Sequence, residues 1–455
     1  MERIALCGVF DIPNYGDHLF PLIVKNELHK RNCDFEIVLF SPFDAQESFV
    51  EDSHIYSLDD MERMHQENPF KAILIGGGEI IHWHRYQQKH SFSSDSYEPY
   101  PMDKVWAIPF LMKLKYNVPI IWNAPGIPYD FDIDPNFANF LFSNIDYVSV
   151  RNDFSRQVLL DCGIRPEIIH LVPDTGFELT TLASAEHLNK LRRDLLLDTD
   201  KYIVFHCNRF IAEADENAAF NMLNNLYDQG YSIYLLPLAY THGDDTKLRE
   251  IRERSGNRFN IPEKPLSLLQ IISVLSGCTL YVGTSLHGTV TASAYGRKVV
   301  SFDYQKTKKT KDLYDKLGLS DYYTVDRSFL QENVSKALNE QVPADISDIQ
   351  SEIKQHFDNI VSVLECGKVV TANPCSQASQ FSDMVHFYFA NAYECQGLRQ
   401  RVNELTDALE LNQNFVEIFK SRSESLKDEN ERLRSAYEKT LRHKLSKIKR
   451  KTAHQ

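Results

Sequence analysis

The chain contains no apolar stretch approaching the ~20 residues needed to cross a bilayer, so no membrane span is expected. Its eight cysteines (Cys7, Cys33, Cys162, Cys207, Cys278, Cys366, Cys375, Cys395) include no C-x-x-C pair and no zinc-type spacing. Several lie inside apolar runs, where a thiol behaves as a small hydrophobe, and reduced cysteines in a cytosolic protein are the simplest reading. Basic charge is in deficit: 50 Lys and Arg stand against 63 Asp and Glu, a formal net charge of -13, which argues against a general nucleic-acid binder. A local basic cleft for a small anion remains compatible with an acidic protein. Asp and Glu are plentiful but form no motif with ligand spacing, so neither a metal site nor a cofactor is expected. At the N-terminus, Glu2 and Arg3 precede a short apolar run closed by Gly8 and Asp11, which reads as a first strand rather than a signal peptide.

What remains is a globular composition, 43% hydrophobic and 25% charged, over a length of 455 residues that suits two α/β domains plus something extended. Short apolar runs at 4–10, 34–40, 71–75, 118–123, 146–150 and 168–172 alternate with amphipathic segments such as 19–30 and 154–162. The alternation then repeats, with strand candidates at 202–207, 232–237, 280–282 and 298–302 and helix candidates at 217–229, 246–255, 266–276 and 289–295. Strands separated by helices, each turn marked by Gly, Pro or Asn, predict parallel sheets wrapped by helices. Two such halves predict two lobes facing a cleft, with ligands at the C-terminal ends of the strands. The expected division is an N-terminal Rossmann-like domain over 1–175, a C-terminal Rossmann-like domain over 176–345 and a return helix over 346–366. A linker over 367–383, a helical coiled coil over 384–440 and a basic tail over 441–455 complete it.

The coiled coil rests on spacing. Leu398, Val402, Leu405, Leu409, Asn412, Val416, Phe419, Ser423, Leu426, Asn430, Leu433 and Tyr437 alternate by four and three, an a/d seam with charged residues around it. Asn at such positions costs stability but fixes register, so a specific partner helix is expected, most simply in a homo-oligomer. Lys439, Arg442, Lys444, Lys447, Lys449, Arg450 and Lys451 then form a tail without acids. It is either a solvated end or a peripheral contact with an anionic membrane, each basic residue there worth ~1 kcal/mol. The expected location is cytoplasmic, with the inner face of the membrane as the surface this tail would meet.

Three motifs carry chemistry. Asn14-Tyr15-Gly16-Asp17 follows the first strand and opens a helix at Leu19, so its amides and dipole end suit an anion or a polar sugar, while the plainer reading makes Asp17 the helix N-cap. Gly76-Gly77-Gly78-Glu79 closes the strand at 71–75 and lets a ligand or the opposite lobe approach the backbone. It is not G-x-G-x-x-G, and no acid follows at a ribose-binding distance, so a dinucleotide site is not supported. Thr284-Ser285-Leu286-His287-Gly288-Thr289 places hydroxyls and free amides beside an imidazole at a helix start, where they can hold phosphate or carboxylate oxygens and exchange a proton.

Taken in order, Asn14 to Asp17, Gly76 to Gly78, Arg151 with Ser155, Pro173-Asp174, Arg209 and the Leu286-His287-Gly288 block ending in Gly296 to Val300 resemble the polysaccharide pyruvyl transferase family. The likeness covers roughly residues 1–340 and excludes the coiled coil. It implies two Rossmann-like domains similar to the GT-B fold, with phosphoenolpyruvate bound between them and a glycan as the acceptor. It further implies His287 as general acid or as the group that stabilises departing phosphate, and Asp17 and Glu79 as base or hydrogen-bond partners of the acceptor. Donor contacts would come from Arg151, Arg209, Thr284, Ser285, Leu286, Gly288 and Lys308, the last from the run Lys306, Lys308, Lys309, Lys311. Asn14, Gly16 and the three glycines would form the loops that approach the acceptor. One position departs from the family, which commonly has Arg directly before Leu-His-Gly; here it is Ser285, whose hydroxyl cannot replace a bidentate charge. A nucleotide-sugar-dependent glycosyltransferase of GT-B type and a catalytically weakened scaffold in a glycan-assembly complex are the competing readings.

Overall fold

The computed structural model describes residues 1–45, 54–82, 87–88, 98–130, 135–197, 201–366 and 370, together with 391, 394, 398, 401 and 426–440. Two five-stranded parallel sheets organise the body of the chain.

The first sheet has the order β3-β2-β1-β4-β7, from β1 (Arg3–Cys7), β2 (Glu36–Ser41), β3 (Ile55–Ser57), β4 (Phe70–Gly76) and β7 (Ile120–Asn123). Every residue of β1 is buried, as a strand must be when helices cover both faces of a parallel sheet. Between β4 and β7 lie a short antiparallel pair, β5 (Gln87–Gln88) and β6 (Glu98–Pro99), and then α3 (Lys104–Tyr116). A parallel pair, β8 (Val148–Val150) and β9 (Ile169–Leu171), continues from β7 through a bridge between Ile121 and Tyr147. Helices α1 (Tyr15–Lys30), α2 (Met61–Glu67), α4 (Pro135–Phe142) and α5 (Asp153–Asp161) make the connections.

The second sheet has the order β11-β10-β12-β13-β14, from β10 (Tyr202–His206), β11 (Ser232–Leu235), β12 (Leu280–Gly283), β13 (Lys298–Phe302) and β14 (Tyr323–Thr324). Its helices are α6 (Ala185–Asp194), α7 (Glu213–Asp228), α8 (Asp244–Arg254), α9 (Leu268–Gly277), α10 (Leu286–Ala294), α11 (Lys308–Lys316) and α12 (Leu330–Glu340). Ser267 starts α9 with a capping box, its hydroxyl accepting from Gln270 N while the Gln270 side chain accepts from Ser267 N.

Two features lock the lobes together. Helix α13 (Ser347–Glu365) returns to the first sheet, where His356 lies between the Tyr147 hydroxyl and Asn123 Oδ1, each 2.9 Å away, and Asp358 pairs with Arg31 at 2.8 Å. At the opposite end, backbone joins backbone: Tyr15 N donates to Leu238 O (2.8 Å) and Tyr240 N to Pro13 O (3.0 Å), around a bridge between Asn14 and Ala239. The Tyr15 and Thr291 hydroxyls, 2.7 Å apart and buried, extend that seam into α10.

A second unit begins at Pro374, and of it residues 391, 394, 398, 401 and 426–440 are described. In its helix 426–440, Leu426, Asn430, Leu433 and Tyr437 are the residues that are not fully exposed. The rest of the predicted coil apart from 391, 394, 398 and 401, the linker apart from 370, and the tail over 441–455 lie outside the described residues. Among the described residues, no helix is long and apolar enough to cross a membrane.

Candidate functional site

The C-terminal ends of both sheets open onto one cleft of about 630 Å³, within the range of ligand sites. The loops after β4 and β8 bring Glu79 and Arg151, β10 ends in His206, the turn after β11 brings Thr241, and the first turn of α10 brings His287. The first turn of α1 contributes Asp17 and the loop after β13 leads to Lys309.

Local sequence explains each placement. Asn14 takes extended backbone and its side chain accepts from Gly16 N (3.1 Å), so α1 begins at Tyr15 and Asp17 falls in the first turn. The cap is therefore Asn14, which corrects the assignment of Asp17 to that role and the helix start at Leu19. Gly16 is required by contact: a Cβ there would land on the His287 ring. Gly77, at φ +69°, lies against the Phe20 ring in the same way, and a Cβ on Gly78, at φ +72°, would come 2.8 Å from Asp17 Oδ1. Gly76 is the last residue of β4 and packs beside Asn123 rather than lining the cleft. Ser285 caps α10, its hydroxyl accepting from Gly288 N (3.2 Å).

At the centre stands Asp174, which sequence reasoning noticed beside Pro173 without giving it a role. Its Oδ2 lies 3.2 Å from Arg151 Nη1 and 3.4 Å from His287 Nε2, and its Oδ1 accepts from Gly176 N at 2.9 Å. The approach to His287 is an ion-pair separation without hydrogen-bond alignment. Arg151 Nη2 also approaches Glu79 Oε1 (3.6 Å), and Lys309 Nζ donates to Glu79 Oε2 (2.7 Å). Lys309 thus crosses from the second lobe to the first. His287 is braced on its other side by the edge-on ring of Phe20, centroids 5.5 Å apart.

Three carboxyl groups in this cluster are driven apart. Burial raises Asp17 to about 6, against the opposing pull of His287, Arg151 and Lys309. Burial also pushes Glu79 up, but Lys309 and Arg151 outweigh it and bring the group down to about 2. Asp174 is likewise pushed up by burial, yet His287, Arg151 and the Gly176 amide hold it well below the usual carboxylate range. Neighbouring acids separated in this way are suited to different tasks: Glu79 and Asp174 stay anionic and hold cations, while Asp17 can exchange a proton near neutral pH.

Thr284, Ser285, Leu286 and Arg209 line the cleft, Arg209 with its guanidinium 4.9 Å from the Phe210 ring centroid. Gly288 does not line it; a Cβ there would run into the Tyr281 hydroxyl. Lys308 is not brought to the cleft either, since its ammonium sits 5.0 Å over the Phe154 ring while the next residue, Lys309, reaches Glu79. The two lysines part because α11 begins at Lys308, and one step along a helix turns a side chain by about 100°. His206, Asn208, Thr241 and His242 also line the cleft, and no motif in the sequence marks them. Among the described residues no group of three or more His, Cys, Asp or Glu is arranged to hold a metal ion.

Two lobes of mixed α/β structure with parallel sheets, facing each other over a polar cleft at their strand ends, define a protein of GT-B-like architecture. Residues 14–306 match the polysaccharide pyruvyl transferase family, and the chain belongs to it. It is similar to the amylovoran biosynthesis protein AmsJ of Erwinia amylovora, 20% identical over 266 residues. That alignment takes in 54% of this chain and 62% of the relative, so the chain spans under two thirds of that protein's length. Among solved structures, UDP-GlcNAc 2-epimerase from Methanocaldococcus jannaschii superposes with a TM-score of 0.53 at 12% identity, covering 81% of this chain and 100% of that one. The UDP-GlcNAc 2-epimerase of Neisseria meningitidis bound to UDP-GlcNAc gives 0.52 at 12% identity over the same shares. At such identities the likeness speaks to the fold alone.

Proposed function

We propose that this protein transfers a pyruvyl group from phosphoenolpyruvate to a sugar of an exopolysaccharide or cell-surface glycan, forming a cyclic pyruvate ketal. The observation that carries the reading is the cluster of His287, Arg151, Glu79, Asp17 and Lys309 lining one cleft, with Asp174 holding His287 and Arg151 from behind, all but Lys309 within the segment that matches the family. A proton reaches C3 of the donor and leaves C2 electron-deficient; two sugar hydroxyls add there, and phosphate departs with its bridging oxygen. His287 is the general acid, Asp174 orients it, and Arg151 with Lys309 and Arg209 balances the donor's charge. Glu79 keeps Arg151 and Lys309 in place until the donor arrives, and Asp17 takes a hydroxyl proton. The AmsJ name supports a polysaccharide acceptor, and the heptad seam supports self-association through the C-terminal helix.

Ser285 favours a second reading. Its hydroxyl is occupied with capping α10, so nothing at that position supplies the charge that Arg carries in the family. A scaffold that has lost donor binding would look the same there. Thermal melting with phosphoenolpyruvate separates the two: a ligand that binds only the native state must raise the melting temperature. A rise that vanishes in the His287→Ala, Arg151→Ala double variant supports transfer; no rise at millimolar ligand supports the scaffold.

A further inference from the structure

A second Asp–His pair borders the same cleft, His206 on its wall and Asp244 buried behind it, outside the three sequence motifs. His206 is the last residue of β10, at the heart of the second sheet, and is 4% exposed. Its Nε2 lies 2.7 Å from Asp244 Oδ2, the first residue of α8. That same oxygen accepts from Leu238 N (3.1 Å) and Ala239 N (2.6 Å). A carboxylate oxygen already taking two backbone N–H bonds acts as an acceptor toward the ring, so Nε2 carries the hydrogen and Nδ1 the lone pair. Nδ1 is buried and has no hydrogen-bond partner among the described residues, and the same holds for Thr241 Oγ1, another wall of the cleft. Gly283 pairs with His206 in the sheet, and a Cβ there would come 2.6 Å from the Tyr281 hydroxyl and 2.9 Å from His206 Cβ. A buried polar atom without a partner calls for an explanation, and on a residue that lines a cleft a catalytic role is one.

Ketal formation supplies the need. Each of two hydroxyls loses a proton, one proton enters at C3 and one leaves with phosphate. His287 gives its proton to C3 and recovers one from the first hydroxyl by way of Asp17; the second hydroxyl then requires another acceptor. We infer that His206 is that acceptor, with Asp244 as the residue that positions it and Thr241 as a hydrogen-bond partner of the same hydroxyl. In the closing step the second hydroxyl oxygen bonds to C2, which has lost phosphate together with the electron pair of the C–O bond. The hydroxyl proton passes to His206 Nδ1 and from there to the released phosphate, leaving hydrogen phosphate, the ketal and neutral His206. The assignment rests on the pyruvyl transfer reading for its chemistry, but not for its geometry.

The test uses the full chain with phosphoenolpyruvate and methyl β-galactopyranoside, a probe that offers both a cis vicinal diol and a diol spanning the exocyclic carbon. His206→Gln and Asp244→Asn should each lower ketal formation by about 100-fold or more, the size of a lost proton transfer, while the melting shift with phosphoenolpyruvate persists. That shift also shows that the variants fold. Nitrogen NMR of the histidine-labelled, ligand-free chain at a pH where the ring is singly protonated should find the His206 hydrogen on Nε2, and Asp244→Asn should lose that preference. Undiminished ketal formation in His206→Gln, or a hydrogen on Nδ1 in the free protein, would overturn the assignment. A wild-type chain with neither ketal formation nor a melting shift would count against pyruvyl transfer, and the tautomer would still decide His206.

Discussion

The carboxylate of Asp174 stands 3.4 Å from the imidazole of His287 and joins a residue of one lobe's connection to the helix start of the other. The same oxygen holds Arg151, so the two groups expected to meet the donor share one anchor. Asp174→Asn keeps the shape and removes the charge. Turnover should fall about 100-fold or more with little change in KM for phosphoenolpyruvate, because orientation matters most in the transition state. Steady-state kinetics of the purified variant checks this; a change confined to KM would assign Asp174 to donor binding.

Gly16→Ala should separate stability from function. Alanine is the better helix former by about 1 kcal/mol, but its methyl group would occupy the place of the His287 ring. Melting should stay cooperative near the wild-type temperature, while turnover falls as far as in His287→Ala.

Neighbouring lysines should behave differently. Lys309→Ala removes the cation on Glu79 and should reduce the melting shift produced by phosphoenolpyruvate. Lys308→Ala, over Phe154, should leave that shift unchanged.

Acid should weaken the fold through His356 before it reaches most carboxylates. Burial depresses this ring from an ordinary 6.5 to about 3, helped by His170 and Arg31. Below pH 6.5 the unfolded chain takes a proton that the folded one refuses, so stability falls as pH drops from there toward about 3. His356→Phe should flatten that decline. It should also cost about 1–3 kcal/mol at neutral pH, since the Tyr147 hydroxyl and the Asn123 side chain lose their partner. Denaturant titrations at several pH values read both effects.

Ser285 can be tested in both directions. Ser285→Ala loses a cap and should cost about 1 kcal/mol. Ser285→Arg restores the family residue and should enlarge the melting shift with phosphoenolpyruvate; a smaller shift would mean that Arg151 and Lys309 already supply the charge.

Much of the fold was legible because both sheets are parallel and buried. Runs such as 4–10 and 202–207 must be apolar on both faces, and they stand out against their polar turns. What escaped was short or lacked contrast. Strands β3 and β14 have three and two residues, too few to show a pattern. Helix α3 buries Val105, Trp106, Ala107, Pro109, Phe110, Leu111, Met112 and Tyr116, so it has no polar stripe, and Pro109 inside it mimics a break. In the cleft, the motifs at Asn14 to Asp17, Gly76 to Glu79 and Thr284 to Gly288 announced themselves through glycines that contact demands. Asp174, His206 and Lys309 carry no such mark: their neighbours in space are far away along the chain, and only folding joins Asp174 to His287 or Lys309 to Glu79.

The backbone seam between residues 13–15 and 238–240 gives the cleft one fixed edge. Main-chain bonds there tie the turn that carries Asn14 and Asp17 to the segment whose amides grip Asp244. The amides of Tyr15 and Tyr240 should then exchange with solvent as slowly as those of the sheets, although both belong to connecting turns by sequence. Asn14 and Asp17 are thereby held against the second lobe by main chain, so their place in the cleft does not hang on the identity of side chains across it.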